Sequence, residues 1–278
     1  MKQHFPASIL LFFLSLHIIL RASTPASAST TLEQAQHTFR QALATEKSDP
    51  KLAAKEFQHA AALFRSLVEE HAIHNAKLFC NIANAYYKAG DYPAAILWYR
   101  RALILEPYNR KIRENLIAAK IQAHTYHEPK SSPANFIIDL FLFWHTDFPH
   151  QTRNILFLLF YILSFLTLTA AIWWKQRRNL LIMAAIVPFV LATMFAASIL
   201  YDHHRFTTSR EVVVMNPGMV LRQGDATSYQ AVSSDPIPPG SELSLIQRRN
   251  GWVNVRTPDG TEGWLPAASV RLIWPIKP

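Results

Sequence analysis

The chain has 278 residues, half of them hydrophobic, and a formal net charge of +9. This composition is too apolar for a typical soluble protein and too polar for a transporter with many spans, so it favours soluble domains joined to a few membrane helices. The basic residues are scattered, without a run of five, which argues against nucleic-acid binding. The single cysteine, Cys80, excludes an internal disulfide.

The N-terminus has the pattern of an export signal. Lys2 supplies a positive charge, residues 9–20 form an apolar core, and Ala26 and Ala28 make a small-x-small cleavage site. We therefore predict that residues 1–28 are a signal peptide cleaved after Ala28. An uncleaved anchor is the alternative.

Two later segments, 154–174 and 180–200, are apolar and long enough to be transmembrane helices, since a span needs about 20 residues. The turn between them, 175–179, is rich in lysine and arginine, so the positive-inside rule predicts that it is cytoplasmic. Both flanking regions then lie outside the cytoplasm. The segment before the first span, 127–153, is predicted to be a linker and an amphipathic stretch at the outer interface.

Residues 29–126 have apolar side chains at helical spacing. Within them, an aromatic, aliphatic and small-residue pattern resembles the tetratricopeptide repeat, in which small residues let two helices approach and aromatic residues fill the space between them. The positions that carry this signature are Phe79, Ala83, Tyr86, Gly90, Ala95, Tyr99, Ala102 and Pro107. We expect about two repeats and one further helix, because a single repeat cannot bury its own faces.

In such repeats, the first helix of each pair lines a concave face. We predict a partner-binding groove on this face, because asparagine side chains hold a peptide backbone and lysines pair with carboxylates. The alternative is a solvated polar face without a ligand. The predicted groove residues are Asn81, Asn84, Tyr87, Lys88, Lys111 and Asn115.

The last region, 201–278, alternates in strand fashion and contains tight Gly turns. It resembles a bacterial SH3-like domain with a short tail, although Gln223 and Gly224 depart from the usual first-strand motif. The resemblance implies binding of peptides or peptidoglycan. A possible aromatic ligand groove in the barrel consists of Tyr229, Trp252 and Trp264. The alternative is that the tryptophans pack the barrel.

No catalytic constellation is found. The histidine pairs 71/74 and 203/204 lack a third metal ligand at a fixed spacing, and no nucleophile, phosphate-loop or dinucleotide motif is present. We therefore interpret the chain as non-enzymatic, with no metal and no cofactor.

The predicted architecture is a multi-domain membrane protein with an α-helical tetratricopeptide repeat module, two transmembrane helices and a small all-β SH3-like barrel. This order resembles the BatE family of the Bacteroides aerotolerance operon. The resemblance implies a scaffold in the bacterial inner membrane, with both soluble modules on the periplasmic side. Its implied partners are membrane proteins with von Willebrand A-type domains and a MoxR-type ATPase. The alternative is an envelope protein that binds peptidoglycan through the barrel.

Overall fold

The computed structural model describes residues 26–127, 144, 148, 150–208 and 210–274. Nearly all of the predicted signal peptide, and most of the predicted linker before the first span, lie outside these residues, so both assignments stay predictions. Along the described chain, a helical array is followed by two long apolar helices and then by a small sheet.

Five helices form the array, and consecutive helices pack on one another. They are α1 (Ala26–Thr45), α2 (Pro50–Glu69), α3 (Ala76–Lys88), α4 (Tyr92–Leu105) and α5 (Arg110–Gln122). Each of the last four helices is preceded by a residue whose side chain accepts a hydrogen bond from a backbone N–H of the first turn. Such caps satisfy donors that the helix itself leaves without a partner. The caps are Asp49, Asn75, Asp91 and Asn109.

The hairpin of α3 and α4 contains the core of the array. Ala83 and Ala95 are fully buried, which allows close approach of the two helices. Phe79 lies edge-on to Trp98, with 5.4 Å between ring centroids. Gly90 takes a positive φ of 82° in the turn, a conformation that side chains with a Cβ rarely adopt.

Two long apolar helices follow, α6 (His150–Trp173) and α7 (Arg178–Thr208), joined through a short 3-10 turn. Both are long and apolar enough to cross a membrane. Large apolar side chains are exposed on both helices, for example Ile155 on α6 and Phe189 on α7. Helix α7 continues beyond residue 200, the predicted end of the second span, and the sheet begins only at Glu211.

A buried ion pair connects the two apolar helices. The Nη2 of Arg153 on α6 lies 2.6 Å from Oδ2 of Asp202 on α7, and its Nη1 donates to Oγ of Ser198 at 2.6 Å. The same guanidinium lies 5.0 Å from the ring centroid of Tyr108, in the turn between α4 and α5. Arg153 therefore links both apolar helices to the array, and a neighbouring carboxylate compensates its charge.

The sheet has five antiparallel strands in the order β4-β3-β2-β1-β5. They are β1 (Glu211–Val214), β2 (Glu242–Arg249), β3 (Trp252–Arg256), β4 (Glu262–Pro266) and β5 (Val270–Leu272). The turn between β2 and β3 is Asn250-Gly251, with positive φ at both residues, as the tightest hairpin turns require. The prediction of a small antiparallel sheet in the C-terminal region is thus confirmed. Its assignment as an SH3-like barrel stays a prediction.

Strand β1 is buried on both faces. Val212 and Val214 contribute to the core of the sheet, whereas Val213 belongs to the same apolar cluster as the array. Ile273, just after β5, joins that cluster as well. The sheet and the array therefore share apolar packing and are not independent modules.

Ionic contacts surround this apolar junction. Arg100 on α4 forms an ion pair with Glu211 and lies 3.4 Å from Glu242. Lys120 on α5 reaches the same Glu242 carboxylate at 3.0 Å. Two basic residues of the array thus face two acidic residues of the sheet, and this complementarity fixes how the sheet docks.

We predict that Asp202→Asn destabilises the hairpin of α6 and α7 by about 3–5 kcal/mol, because removal of one partner leaves the other charge buried. SDS-induced unfolding of the full chain measures the effect. The double substitution Arg153→Met with Asp202→Leu is the control, since it removes both charges and retains apolar volume. Equal losses of stability for the single and double variants would contradict an energetic role for the pair.

Candidate binding groove

A cleft of about 180 Å³ opens between α1 and α3. Phe39 and Phe64 contribute aromatic surface to it. Gln36 and Arg40, both exposed, and the half-buried Asn81 supply polar groups. The cleft thus combines apolar surface with amide and guanidinium donors.

Asn84 also lines the cleft, but its oxygen is already used within the array. Its Oδ1 accepts a hydrogen bond of 2.6 Å from the Tyr99 hydroxyl and a longer one of 3.3 Å from Nδ2 of Asn115. Burial raises the pKa of Tyr99, so the hydroxyl keeps its proton and remains a donor. Asn84 therefore ties α3 to α4 and α5 in addition to facing the cleft.

The remaining predicted groove residues lie outside the lining of the cleft. Lys88 pairs with Glu46 at 2.9 Å, which joins the end of α3 to the turn after α1. Tyr87 packs edge-on against Tyr92, with 5.7 Å between ring centroids. Lys111 is exposed on α5. The structure thus brings Asn81 and Asn84 together in the cleft and attaches Asn115 to Asn84.

Cys80 lies beside this network on α3. Burial raises the pKa of its thiol, and this outweighs the opposite effects of Lys111 and of a hydrogen bond with Asn84. A protonated thiol is a poor nucleophile, so its environment is that of a packing residue and not of a reactive cysteine.

Four residues of the cleft were not predicted from the sequence: Gln36, Phe39, Arg40 and Phe64. Three of them lie on α1, the first helix of the upstream hairpin. The signal that would have found them is the repeat itself, because equivalent helices of consecutive hairpins face the same side. The degenerate sequence of the first hairpin hides this correspondence.

The three aromatic residues proposed for the barrel have different environments. Tyr229 is 48% exposed, Trp252 is half-buried and Trp264 is 8% exposed. The guanidinium of Arg249 lies 5.2 Å from the centroid of the Trp264 ring. Arg222 exchanges backbone hydrogen bonds with Trp264 and donates to the carbonyl of Tyr229 at 2.8 Å. Trp264 thus offers little free surface, whereas Tyr229 and Trp252 remain accessible.

The described part of the chain also contains histidine and acidic side chains of the kinds that bind metals. Among them, no group of three His, Cys, Asp or Glu side chains is placed to hold an ion. His74 instead contacts aromatic rings. The centroid of its imidazole ring lies 6.0 Å from that of the Phe79 ring and 6.3 Å from that of the Trp274 ring.

We predict that Asn84→Ala destabilises the chain by about 1–3 kcal/mol, because the buried Tyr99 hydroxyl loses its acceptor. Tyr99→Phe removes the donor and serves as the matched variant. The double variant should lose less stability than the sum of the two single losses, which thermal or denaturant unfolding measures. Additive losses would show that the two side chains do not interact.

Part of the chain matches a known protein family. Residues 76–109 match the tetratricopeptide repeat family, from the first residue of α3 to the capping residue of α5. No curated protein and no solved structure matches the chain. The chain therefore contains a tetratricopeptide repeat, a module that supports a role in protein–protein interaction.

Proposed function

We propose that the chain is a non-enzymatic, membrane-anchored scaffold that binds a segment of a protein partner in the cleft between α1 and α3. The observation that carries the proposal is that one surface of the array contacts the sheet while another surface, the cleft, does not. Helix α4 packs against the sheet, whereas the cleft faces away from the sheet and is lined by aromatic and polar side chains.

The composition of the cleft defines the partner. An apolar side chain would pack on Phe39 and Phe64, and the adjacent peptide backbone would accept hydrogen bonds from Gln36 or Asn81. Arg40 adds a positive charge at the rim, which favours an acidic residue next to the apolar one. The ligand is thus a short segment with an apolar anchor and a neighbouring carboxylate.

The docking of the sheet on the array supports the proposed topology. The array precedes the two apolar helices and the sheet follows them, yet the two regions are in contact. Two membrane crossings return the chain to the side on which it started, so this contact is compatible with both helices spanning. The basic turn at Lys175 then faces the cytoplasm, and both soluble regions lie outside.

The resemblance to the BatE family extends this proposal to particular partners. We place the chain in the bacterial inner membrane, next to von Willebrand A-type domain membrane proteins and a MoxR-type ATPase, in a role related to aerotolerance or stress. The sheet, as an SH3-like barrel, would hold the array in position. The support is the order of the repeat, the two apolar helices and the antiparallel sheet.

Binding of peptidoglycan or a wall peptide by the sheet is the second candidate function. The exposed ring of Tyr229 and the half-buried ring of Trp252 favour it, since aromatic faces pack on sugars and peptides. Of the three residues in the predicted aromatic groove, these two have accessible rings.

We predict that Gln36→Ala with Arg40→Ala weakens binding of a von Willebrand A-type domain partner about tenfold or more, because a lost hydrogen bond and a lost charge contact each contribute roughly 0.5–3 kcal/mol. Co-purification from solubilised membranes, followed by titration of the purified proteins, measures the loss. Both side chains are exposed, so the fold should be retained.

The matched control is Lys55→Ala with Gln58→Ala, which removes one amide and one charge from exposed positions of α2 outside the cleft. It should bind as the wild type does. Unchanged partner binding by the cleft variant would refute the groove proposal. The double variant Tyr229→Ala with Trp252→Ala tests the wall-binding function by co-sedimentation of the protein with peptidoglycan. If this variant no longer co-sediments, and partner binding is unchanged in every variant, the wall-binding function is supported instead.

Reporter fusions test the topology. Fusions at Lys130 and after the last residue should both report the side outside the cytoplasm, because the array and the sheet contact one another. A fusion in the turn at Gln176 is the internal control and should report the cytoplasm. Opposite locations for the two outer fusions would be incompatible with two crossings.

A further inference from the structure

A second cavity, of about 380 Å³, lies between the array and the sheet, away from the cleft of the proposed groove. Its apolar walls come from Val68 on α2, Leu97 and Trp98 on α4, and Met215 just after β1. Small-molecule sites have volumes of about 300–1,000 Å³, are mostly apolar and are frequent at domain interfaces. The volume at this junction lies at the lower end of that range.

The polar lining of the cavity is predominantly cationic. Three arginines and one glutamate line it, which leaves an excess of two positive charges. The glutamate, Glu69, already pairs with Arg65 at 3.0 Å, and Arg65 also donates to the Tyr86 hydroxyl at 3.2 Å. The Nη1 of Arg271 donates to backbone carbonyls of its own strand region. The cavity therefore attracts anions.

Arg101 is the most buried of the three arginines, with 9% of its surface exposed. Its Nε donates to the carbonyl of Ile273 at 3.1 Å and its Nη2 to that of Leu272 at 3.0 Å. The guanidinium lies 4.5 Å from the centroid of the Trp98 ring. Two hydrogen bonds and a ring contact thus fix the orientation of this side chain.

These contacts do not supply a counter-charge. Among the described residues, no carboxylate lies within 4.0 Å of Arg101, and its Nη1 donates no hydrogen bond. Burial lowers the pKa of Arg101 to about 10, so the side chain is still cationic at neutral pH. The Glu69 carboxylate in the same lining compensates this charge only from beyond ion-pair distance. A buried cation without a direct ion pair is unfavourable, and a bound carboxylate would relieve this.

We propose that this cavity binds an organic anion in which a carboxylate is joined to an apolar body of about one aromatic side chain. The carboxylate accepts a hydrogen bond from Nη1 of Arg101 and is attracted by Arg271. The apolar body packs on Leu97 and Trp98. This chemistry is offered by a free aromatic or aliphatic acid and by the C-terminal residue of a peptide. The site is separate from the cleft and does not depend on the proposed function.

The test uses the full chain in a non-ionic detergent, with 3-phenylpropionate as the probe and 3-phenylpropanamide as its neutral counterpart. Titration followed by ligand-observed NMR gives the two dissociation constants. The acid should bind at least about tenfold more tightly than the amide, because charge-assisted hydrogen bonds are roughly twice as strong as neutral ones. The tripeptide Ala-Ala-Phe, with a free or amidated C-terminus, distinguishes the two sources of the carboxylate.

Three variants locate the binding. Ala94→Phe fills the cavity and should abolish binding of the acid, while Arg271→Gln removes one charge and should weaken the acid about tenfold without affecting the amide. Arg110→Gln is the matched control, since it removes a positive charge from an exposed position that does not line the cavity. Its affinity should equal that of the wild type, and thermal unfolding checks that each variant is folded.

Binding of either the free acid or the peptide acid, with the expected response to both cavity variants, supports the site. Equal affinity for acid and amide would overturn it. Absence of binding by both carboxylates would also overturn it. Because Arg271 is exposed, Arg271→Gln remains informative even if Ala94→Phe fails to fold, and wild-type affinity in a folded Arg271→Gln variant would refute the role of the cationic lining.

Discussion

The hydrogen bonds from Arg101 to the carbonyl oxygens of Leu272 and Ile273 join residues that are 171 and 172 positions apart. They connect the second helix of the repeat hairpin to the end of the last strand, and apolar packing of Val213 and Ile273 on the array surrounds them. Together with the ionic contacts of Arg100 and Lys120, this contact positions the sheet on the array. As a result, the sheet contacts α4 and leaves the cleft between α1 and α3 open.

Much of the local structure could be predicted from the sequence. The spacing of small and aromatic residues predicts the hairpin of α3 and α4, and the tetratricopeptide match at 76–109 confirms it. Composition alone predicts two helices apolar enough to span a membrane, and the structure contains them. The Asn250-Gly251 dipeptide predicts the turn between β2 and β3. Each of these features depends on residues close in sequence, where period and turn chemistry act directly.

The long-range contacts were not predicted, because no local pattern encodes which surfaces meet. Three consecutive valines in β1 were the available hint, since a strand with one solvated face would alternate with polar residues. The pairing of Arg153 with Asp202 joins positions in two different apolar helices. Asn84 illustrates the same limit within the groove. Its position on α3 was evident from the spacing, but the Tyr99 hydroxyl that occupies its oxygen comes from the opposite helix.

The hairpin of α6 and α7 has a thermodynamic consequence for the docked sheet. Because the two helices pack along one another and are held by the Arg153 ion pair, the start of α6 and the end of α7 lie side by side. Docking of the sheet on the array is then an intramolecular event, whose effective concentration is set by the connection between the two regions. An interface far too weak to hold two separate polypeptides together remains occupied under these conditions. The contact between the sheet and the array therefore does not depend on the concentration of the protein.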